Sequence, residues 1–169
     1  MNLIIRPDLR AEWNNQIVRC AVGRSGISAN KREGDGATPV GDFLAREVFY
    51  RADRMVKPPT KLPCRPLAEA DGWCDDPADP RYNRAVTLPD AASHEELMRH
   101  DGLYDLVVVL GYNDDPVIAG LGSAIFLHVA APDFAPTEGC VALALMDLQA
   151  VAADLRPGHK IRILPADSV

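Results

Sequence analysis

Short apolar runs separated by turn residues are the main pattern along this chain, and that pattern is typical of β-strands. Runs that predict strands lie at residues 3–5, 17–22, 43–50, 104–111, 123–129 and 160–164. Two of them, 104–111 and 123–129, are rich in Val, Leu, Ile or Phe and therefore predict buried core strands. Between the second and third runs, residues 23–41 form a polar loop with several glycines.

Helical signals appear in two places. Ser93 and Glu96 have the spacing of a capping box and predict a short helix over residues 93–100. A second segment opens at Asp147, repeats apolar residues on one face and ends before Pro157, which predicts an amphipathic helix. With 169 residues the chain has the size of one domain, so we expect a single, mainly β domain over 1–169 with one or two short helices.

Residues 57–90 are dense in proline, aspartate and arginine and show almost no periodicity. Connections of that length inside a compact domain are usually functional or disordered. Trp73 and Tyr82 favour an ordered loop, because disordered segments are poor in aromatic residues. We therefore expect this segment to form a lid or a rim.

Composition and charge exclude several classes of protein. A net charge of −6 disfavours nucleic acid as a partner, since phosphate binding needs a positive surface. No apolar run approaches the roughly 20 residues of a membrane helix, so we expect no membrane span. The first ten residues lack the long apolar region of a secretion signal, so we expect no export signal in the chain as written.

Four cysteines occur, and no two have the C-x-x-C spacing of zinc ribbons or thioredoxin-like motifs. A disulfide between Cys64 and Cys74 stays open as an alternative, although unpaired thiols are the simpler interpretation. The paired aspartates at 75–76 and 114–115 do not match a calcium-binding loop, and we expect no metal.

One cysteine has distinctive surroundings. Cys140 directly follows Gly139 in the sequence Thr137-Glu138-Gly139-Cys140, and His128 lies twelve residues earlier at the end of a predicted strand. A nucleophilic thiol needs a base and backbone donors for the oxyanion, and these residues offer both. We interpret Cys140 as a nucleophile and His128 as its base.

These residues resemble the signature of the L,D-transpeptidase catalytic-domain family (YkuD-like), in which a histidine precedes a Ser/Thr-x-Gly-Cys block. Residues 31–43, K-R-E-G-D-G-A-T-P-V-G-D-F, are similar to a glycine- and Thr-Pro-Gly-containing segment of the same family. Residues 72–84 resemble a bacterial subgroup of it. The resemblance spans about residues 17–164.

The resemblance implies a β-sandwich-like domain that acts on peptidoglycan stem peptides without metal or organic cofactor. Cys140 would form a thioester with the stem and pass it to an amine, with His128 moving the protons. The amides of Gly139 and Cys140 would form the oxyanion hole, and Thr137 would brace the loop or bind substrate. The family's substrate also implies a periplasmic or cell-envelope location.

Two positions depart from the family's pattern. Val129 follows the histidine where many members have glycine, and Ala142 replaces an arginine two residues after the cysteine. Arg84, Arg24 or Lys31 are candidates to supply the missing cation, and we expect Arg84 to be the clamp. The expected substrate-binding loop contains Trp73, Tyr82, Asn83 and Arg84.

Two alternatives stay open. The same thioester resolved by water would make the protein an L,D-carboxypeptidase or amidase. An inert Cys140 would make it a non-catalytic wall-binding module, and thiol reactivity near neutral pH separates that case from the enzymes.

Overall fold

The structure is a computed structural model that describes residues 2–168. Its strands are β1 (Asn2–Ile5), β2 (Arg10–Trp13), β3 (Gln16–Ala21), β4 (Ile27–Ser28), β5 (Thr38–Pro39), β6 (Gly41–Tyr50), β7 (Cys64–Pro66), β8 (Asp71–Cys74), β9 (Ala85–Thr87), β10 (His94–Glu96), β11 (Leu106–Leu110), β12 (Phe126–Val129), β13 (Val141–Leu143) and β14 (Lys160–Ile163). The helix found in residues 2–168 is α1 (Leu145–Asp154). The predicted mainly β fold class is confirmed.

A nine-stranded sheet in the order β11-β12-β13-β3-β2-β1-β14-β6-β7 forms the body of the protein. β6 closes it, because this ten-residue strand pairs with β14 through its first half and with β11 through its second half. The closed sheet therefore has two halves that share β6, and the architecture is sandwich-like. A separate three-stranded sheet, β10-β8-β9, covers part of the outside.

Hydrophobic side chains fill two layers. The inner layer lies inside the closed sheet and includes Leu127, Val141 and Leu148, all fully buried. The outer layer lies between the main sheet and the three-stranded sheet, and it includes Phe126 and Cys140. Strands β11, β12 and β13 thus have buried residues on both faces, which explains why their sequences are almost continuously apolar.

The predicted amphipathic helix is confirmed as α1, which buries Leu148, Val151 and Ala152. The predicted helix over 93–100 is wrong. Residues 94–96 form β10 instead, which pairs with β8 and places His94 opposite Cys74. Pairing across the sheet overrides the local capping-box signal, as tertiary context often does for a short segment.

Within the long segment 57–90 the structure contains β7, which belongs to the main sheet, and β8 and β9, which belong to the three-stranded sheet, so the segment includes ordered strands. The strands β2 and β13 were not predicted, because both are too short to show an apolar period. In residues 2–168 no helix has the length and apolar character needed to cross a membrane.

Replacing Leu148 by alanine should lower the free energy of unfolding by about 2–5 kcal/mol, because it opens a cavity behind the strands that α1 covers. Leu148 is fully buried and α1 packs on β11 and β12. Met146 on the same helix is 81% exposed, so Met146→Ala should change stability by less than about 0.5 kcal/mol. Urea unfolding of both variants tests this packing, and equal losses would contradict it.

Candidate active site

Cys140 and His128 face the same side of two neighbouring strands. β12 and β13 run parallel, and their register aligns His128 with Ala142. Because side chains alternate along a strand, Cys140, two residues before Ala142, projects to the side that His128 occupies. Both side chains are buried, at 8% and 5% exposure. The eleven residues between them therefore return the chain to the same side of the sheet.

The turn that presents Cys140 is held by two threonine hydroxyls. Thr137 Oγ1 donates to the carbonyl of Cys140 at 2.6 Å and accepts from the Gly139 amide at 3.1 Å. From the other side, Thr38 Oγ1 donates to the Gly139 carbonyl at 2.9 Å and accepts from the Gly23 amide at 2.8 Å. The two glycine- and threonine-containing motifs of the sequence are thus directly bonded to each other.

Close backbone contact between these motifs requires glycine at two positions. A Cβ on Gly23 would lie 2.2 Å from the Gly36 carbonyl oxygen, which no side chain tolerates. Gly139 has φ +136°, and a Cβ there would approach the Ala37 carbonyl oxygen to 2.9 Å. The cysteine turn and the loop after β4 therefore pack backbone against backbone.

In this state the thiol contacts backbone groups of Ala124 and of Phe126, the first residue of β12. Cys140 Sγ donates to the Ala124 carbonyl at 3.1 Å and accepts from the Phe126 amide at 3.3 Å. These two contacts fix the sulfur at the cavity floor. They also suit a protonated thiol, which is both a donor and an acceptor.

His128 is oriented by a backbone carbonyl. Its Nδ1 lies 2.9 Å from the carbonyl oxygen of Val129, and because that oxygen only accepts, Nδ1 carries the proton. The neutral ring therefore keeps Nε2 as its acceptor, which is the nitrogen a base needs. The Tyr104 ring packs edge-on against the imidazole, with centroids 5.3 Å apart.

Burial keeps both members of the pair uncharged. Burial, together with a smaller effect of the Glu95 carboxylate, raises the pKa of the Cys140 thiol to about 12. Burial also lowers the pKa of His128 to about 4. The resting site therefore has a neutral thiol and a neutral imidazole in one cavity, rather than a thiolate–imidazolium ion pair.

A cavity of about 860 Å³ opens over Cys140, His128 and Thr137. Its wall holds six carboxylates, from Glu33, Asp75, Glu95, Glu96, Asp101 and Glu138. The cationic side chains among its lining residues are Lys31 and Arg99. The cavity is large enough for a peptide fragment and its wall is mostly acidic.

The four residues expected to bind substrate do not appear among the described residues that border this cavity. Trp73, Tyr82 and Asn83 are buried. Asn83 Oδ1 accepts hydrogen bonds from Trp73 Nε1 at 2.9 Å and from the Ala124 amide at 3.1 Å. Through this contact with Ala124 they support the segment whose carbonyl contacts the thiol. Arg84 instead donates to the Asp114 carbonyl at 2.7 Å, away from the cavity.

Sequence reasoning missed Tyr104 and Glu95, which both line the cavity beside Cys140. The Tyr104 hydroxyl donates to Glu95 Oε1. Glu95 belongs to β10, where the sequence predicted a helix, so no local signal placed this carboxylate near the nucleophile.

All four cysteines are free thiols, so the alternative disulfide between Cys64 and Cys74 is absent. Within residues 2–168, no group of three His, Cys, Asp or Glu side chains has an arrangement that could hold a metal ion.

Comparison with known proteins gives one finding. The family model of the L,D-transpeptidase catalytic domain, YkuD, matches residues 6–163. No curated protein and no solved structure matches the chain. The family match leaves out residues 1–5 and 164–169 and includes every residue of the site described above. The chain belongs to the L,D-transpeptidase catalytic domain family.

Proposed function

We propose that this protein is an L,D-transpeptidase that acts on peptidoglycan stem peptides through a thioester at Cys140. The observation that carries the proposal is the common orientation of Cys140 and His128 at the floor of a peptide-sized cavity. A thiol, an imidazole with an accepting nitrogen and a turn of fixed backbone are the parts that acyl transfer requires.

In the first half-reaction His128 Nε2 takes the thiol proton and Cys140 Sγ attacks the carbonyl of the third stem residue. The carbonyl oxygen becomes an oxyanion, for which we assign the Cys140 amide as donor, because the Gly139 amide already donates to Thr137. The proton on Nε2 then passes to the nitrogen of the terminal D-alanine as the C–N bond breaks. The stem remains as a thioester.

In the second half-reaction an amine of a neighbouring stem attacks the thioester carbonyl. His128 Nε2 accepts the proton that this amine loses. When the C–S bond breaks, Cys140 Sγ takes that proton from Nε2 and the thiol is regenerated. Water attacking the same carbonyl would give hydrolysis instead of a cross-link. Because stem peptides are wall components, we place the reaction in the cell envelope.

Lys31 is the cation that we assign to the site in place of the arginine missing at Ala142. Its side chain is buried in the cavity wall, and its Nζ contacts Asp35 Oδ1 at 2.6 Å and the Arg32 carbonyl at 2.7 Å. An ammonium has three donors, so one remains for other partners. The positive charge of Lys31 also favours the Cys140 thiolate by lowering the pKa of this thiol.

Cys140→Ser should abolish thioester formation, since only the thiol has a base and a fixed turn beside it. Mass spectrometry after incubation with a disaccharide-tetrapeptide should show the wild-type protein heavier by the disaccharide-tripeptide acyl group, with D-alanine released. Cys64→Ala, which removes a free thiol outside the site, should acylate like the wild type. Acylation of Cys140→Ser at the wild-type rate would contradict the mechanism.

The same incubation identifies the acceptor. Cross-linked stems formed when an amine-bearing stem is added support transpeptidation. Disaccharide-tripeptide as the sole stem product would assign the protein to the hydrolytic alternative, and no acylation of the wild type would favour the wall-binding module.

The stability of the protein should fall between about pH 6.5 and pH 4, because His128 is buried in its neutral form. The folded pKa of His128 is about 4 and the unfolded value is 6.5, so protons bind the unfolded chain preferentially in this window. The stability that comes from burying neutral His128 is present above pH 6.5, and acidification to about pH 4 should lower the free energy of unfolding by about 2–3 kcal/mol. His128→Gln should reduce the difference in unfolding free energy between pH 7 and pH 4 by that amount, and an unchanged difference would contradict the neutral histidine.

Lys31→Met should lower kcat by roughly tenfold to a hundredfold, because it removes a charge that favours the thiolate and the oxyanion. Arg84→Met is the matched control and should keep wild-type kinetics, since Arg84 contacts the Asp114 carbonyl outside the cavity. Steady-state release of D-alanine measures both variants. A larger loss for Arg84→Met than for Lys31→Met would reverse the assignment.

A further inference from the structure

Glu95 is connected to both members of the catalytic pair through one side chain. The Tyr104 hydroxyl donates to Glu95 Oε1, and the Tyr104 ring packs against the His128 imidazole. Tyr104 is 4% exposed and belongs to the same buried cluster as Cys140. A carboxylate is therefore held at a fixed place beside the nucleophile, on the wall of the cavity that receives substrate.

The cations nearest to Glu95 and Cys140 already have carboxylate partners. Arg99 lies 4.0 Å from Glu95 Oε1, but its guanidinium forms a closer pair with Asp101, with Nη2 2.5 Å from Oδ2. Lys31, which faces Cys140, pairs with Asp35 at 2.6 Å. The negative charge of Glu95 is thus only partly compensated by the protein.

Other acidic groups face the same space. Glu33 and Asp75 both act on Glu95 electrostatically and line the cavity. The Glu33 carboxylate accepts from the hydroxyls of Ser123 and Tyr82. In contrast, Asp75 Oδ1 is a buried oxygen with no hydrogen-bond partner among residues 2–168. The wall therefore offers an unused acceptor next to an incompletely neutralised carboxylate, which is the environment that a primary ammonium group fits.

Glu95 also affects the nucleophile directly. Its negative charge raises the pKa of the Cys140 thiol in addition to the effect of burial, whereas a hydrogen bond from the Tyr104 hydroxyl lowers it. Burial likewise raises the pKa of Glu95 itself. Neutralising Glu95 without removing it would therefore make the thiolate easier to form.

We propose that Glu95 couples thiolate formation at Cys140 to the arrival of a cationic group, of the primary ammonium class, in the cavity. This inference rests on the acyl-transfer role of Cys140 proposed above. Without the cation, Glu95 opposes a second negative charge on the adjacent sulfur. With the ammonium beside Glu95 and Asp75, that opposition is removed, so transfer of the thiol proton to His128 Nε2 requires less free energy.

The charges balance in this step. The free site holds a neutral thiol, a neutral imidazole and the Glu95 carboxylate. After the proton transfer, the occupied site holds a thiolate, an imidazolium, the same carboxylate and the ammonium, so the transfer creates one charge of each sign within the cavity. Tyr104 is a positioning residue in this scheme, because its single O–H donates to Glu95 in the free site and can turn to the thiolate when the ammonium binds Glu95.

The experiment measures Cys140 alkylation by iodoacetamide at about pH 8 and 9, followed by peptide mass spectrometry so that only Cys140 is counted. Alkylation reports the thiolate fraction and needs no acyl transfer. Glu95→Gln keeps an oxygen that accepts from Tyr104 and removes the charge, so Cys140 should react about tenfold faster, equivalent to one pKa unit. Glu96→Gln is the matched control, since Glu96 is exposed and borders the same cavity, and it should change the rate by less than about twofold.

Two further measurements separate coupling from a loosened site. Propylammonium chloride should accelerate alkylation of the wild type relative to sodium chloride at equal ionic strength, and it should have no such effect on Glu95→Gln. Tyr104→Phe should react more slowly than the wild type, because the thiolate loses a donor. A merely structural disturbance would expose the thiol and accelerate every variant, and the propylammonium measurement on the wild type remains decisive if a variant does not fold.

Equal rates for the wild type and Glu95→Gln, or the same propylammonium effect in both, would overturn the coupling. Absence of any acylation by stem peptide, with the alkylation pattern as expected, would instead contradict the proposed function and leave the Glu95 effect measured. The two failures are therefore distinguishable.

Discussion

The Thr38 hydroxyl makes the interaction on which the geometry of the site depends. It accepts from the Gly23 amide and donates to the Gly139 carbonyl, so three segments of the chain meet at one oxygen atom. Thr38 is fully buried, where an unmade hydrogen bond costs about 1–3 kcal/mol. The cysteine turn is consequently held from both sides, by Thr38 and by Thr137, and the direction of the sulfur follows from the two glycines that allow this approach.

Burial decides the chemical state of the pair that the turn presents. Cysteine enzymes can hold a preformed thiolate beside a cationic histidine, but that arrangement needs solvent or countercharges. Here Cys140 and His128 lie between two sheets, Arg99 and Lys31 are paired elsewhere, and Glu95 is close to the sulfur. The surroundings favour a thiol that becomes reactive when substrate changes the local field, at the cost of a low reactivity in the free protein.

The extent to which the sequence predicts this molecule depends on how local each signal is. The amphipathic period of α1, the apolar runs of β11 and β12, and the His128 and Cys140 block are local features, and the structure has the predicted elements in those places. The helix predicted over 93–100 is wrong because a capping box is a local preference, whereas pairing with β8 is a long-range interaction. The same pairing brings Glu95 to the cavity.

The loop after β8 shows a different limit. Its composition predicts aromatic and basic contacts with substrate, but nothing in a single loop sequence specifies which way each side chain faces. Asn83 has φ +55° and its amide donates to the carbonyls of Tyr112 and Asn113, which turns the loop toward the segment before β12. Arg84 consequently follows the backbone outward. Lys31, the cation that acts on the nucleophile, belongs instead to the segment 31–43, which leads into β6.

The distance along the chain between Thr38 and Gly139 has a consequence for when activity can appear during folding. Their hydrogen bond joins residues 101 positions apart, and Gly139 lies near the end of the chain. Contacts of such high sequence separation form late, after the loops between them have closed. The reactive turn is therefore among the last parts to be completed, and partly folded or locally opened molecules have a cysteine without its backbone frame. The proposed acyl transfer would therefore report the molecules in which this long-range contact is intact, and not those that are partly folded or locally opened.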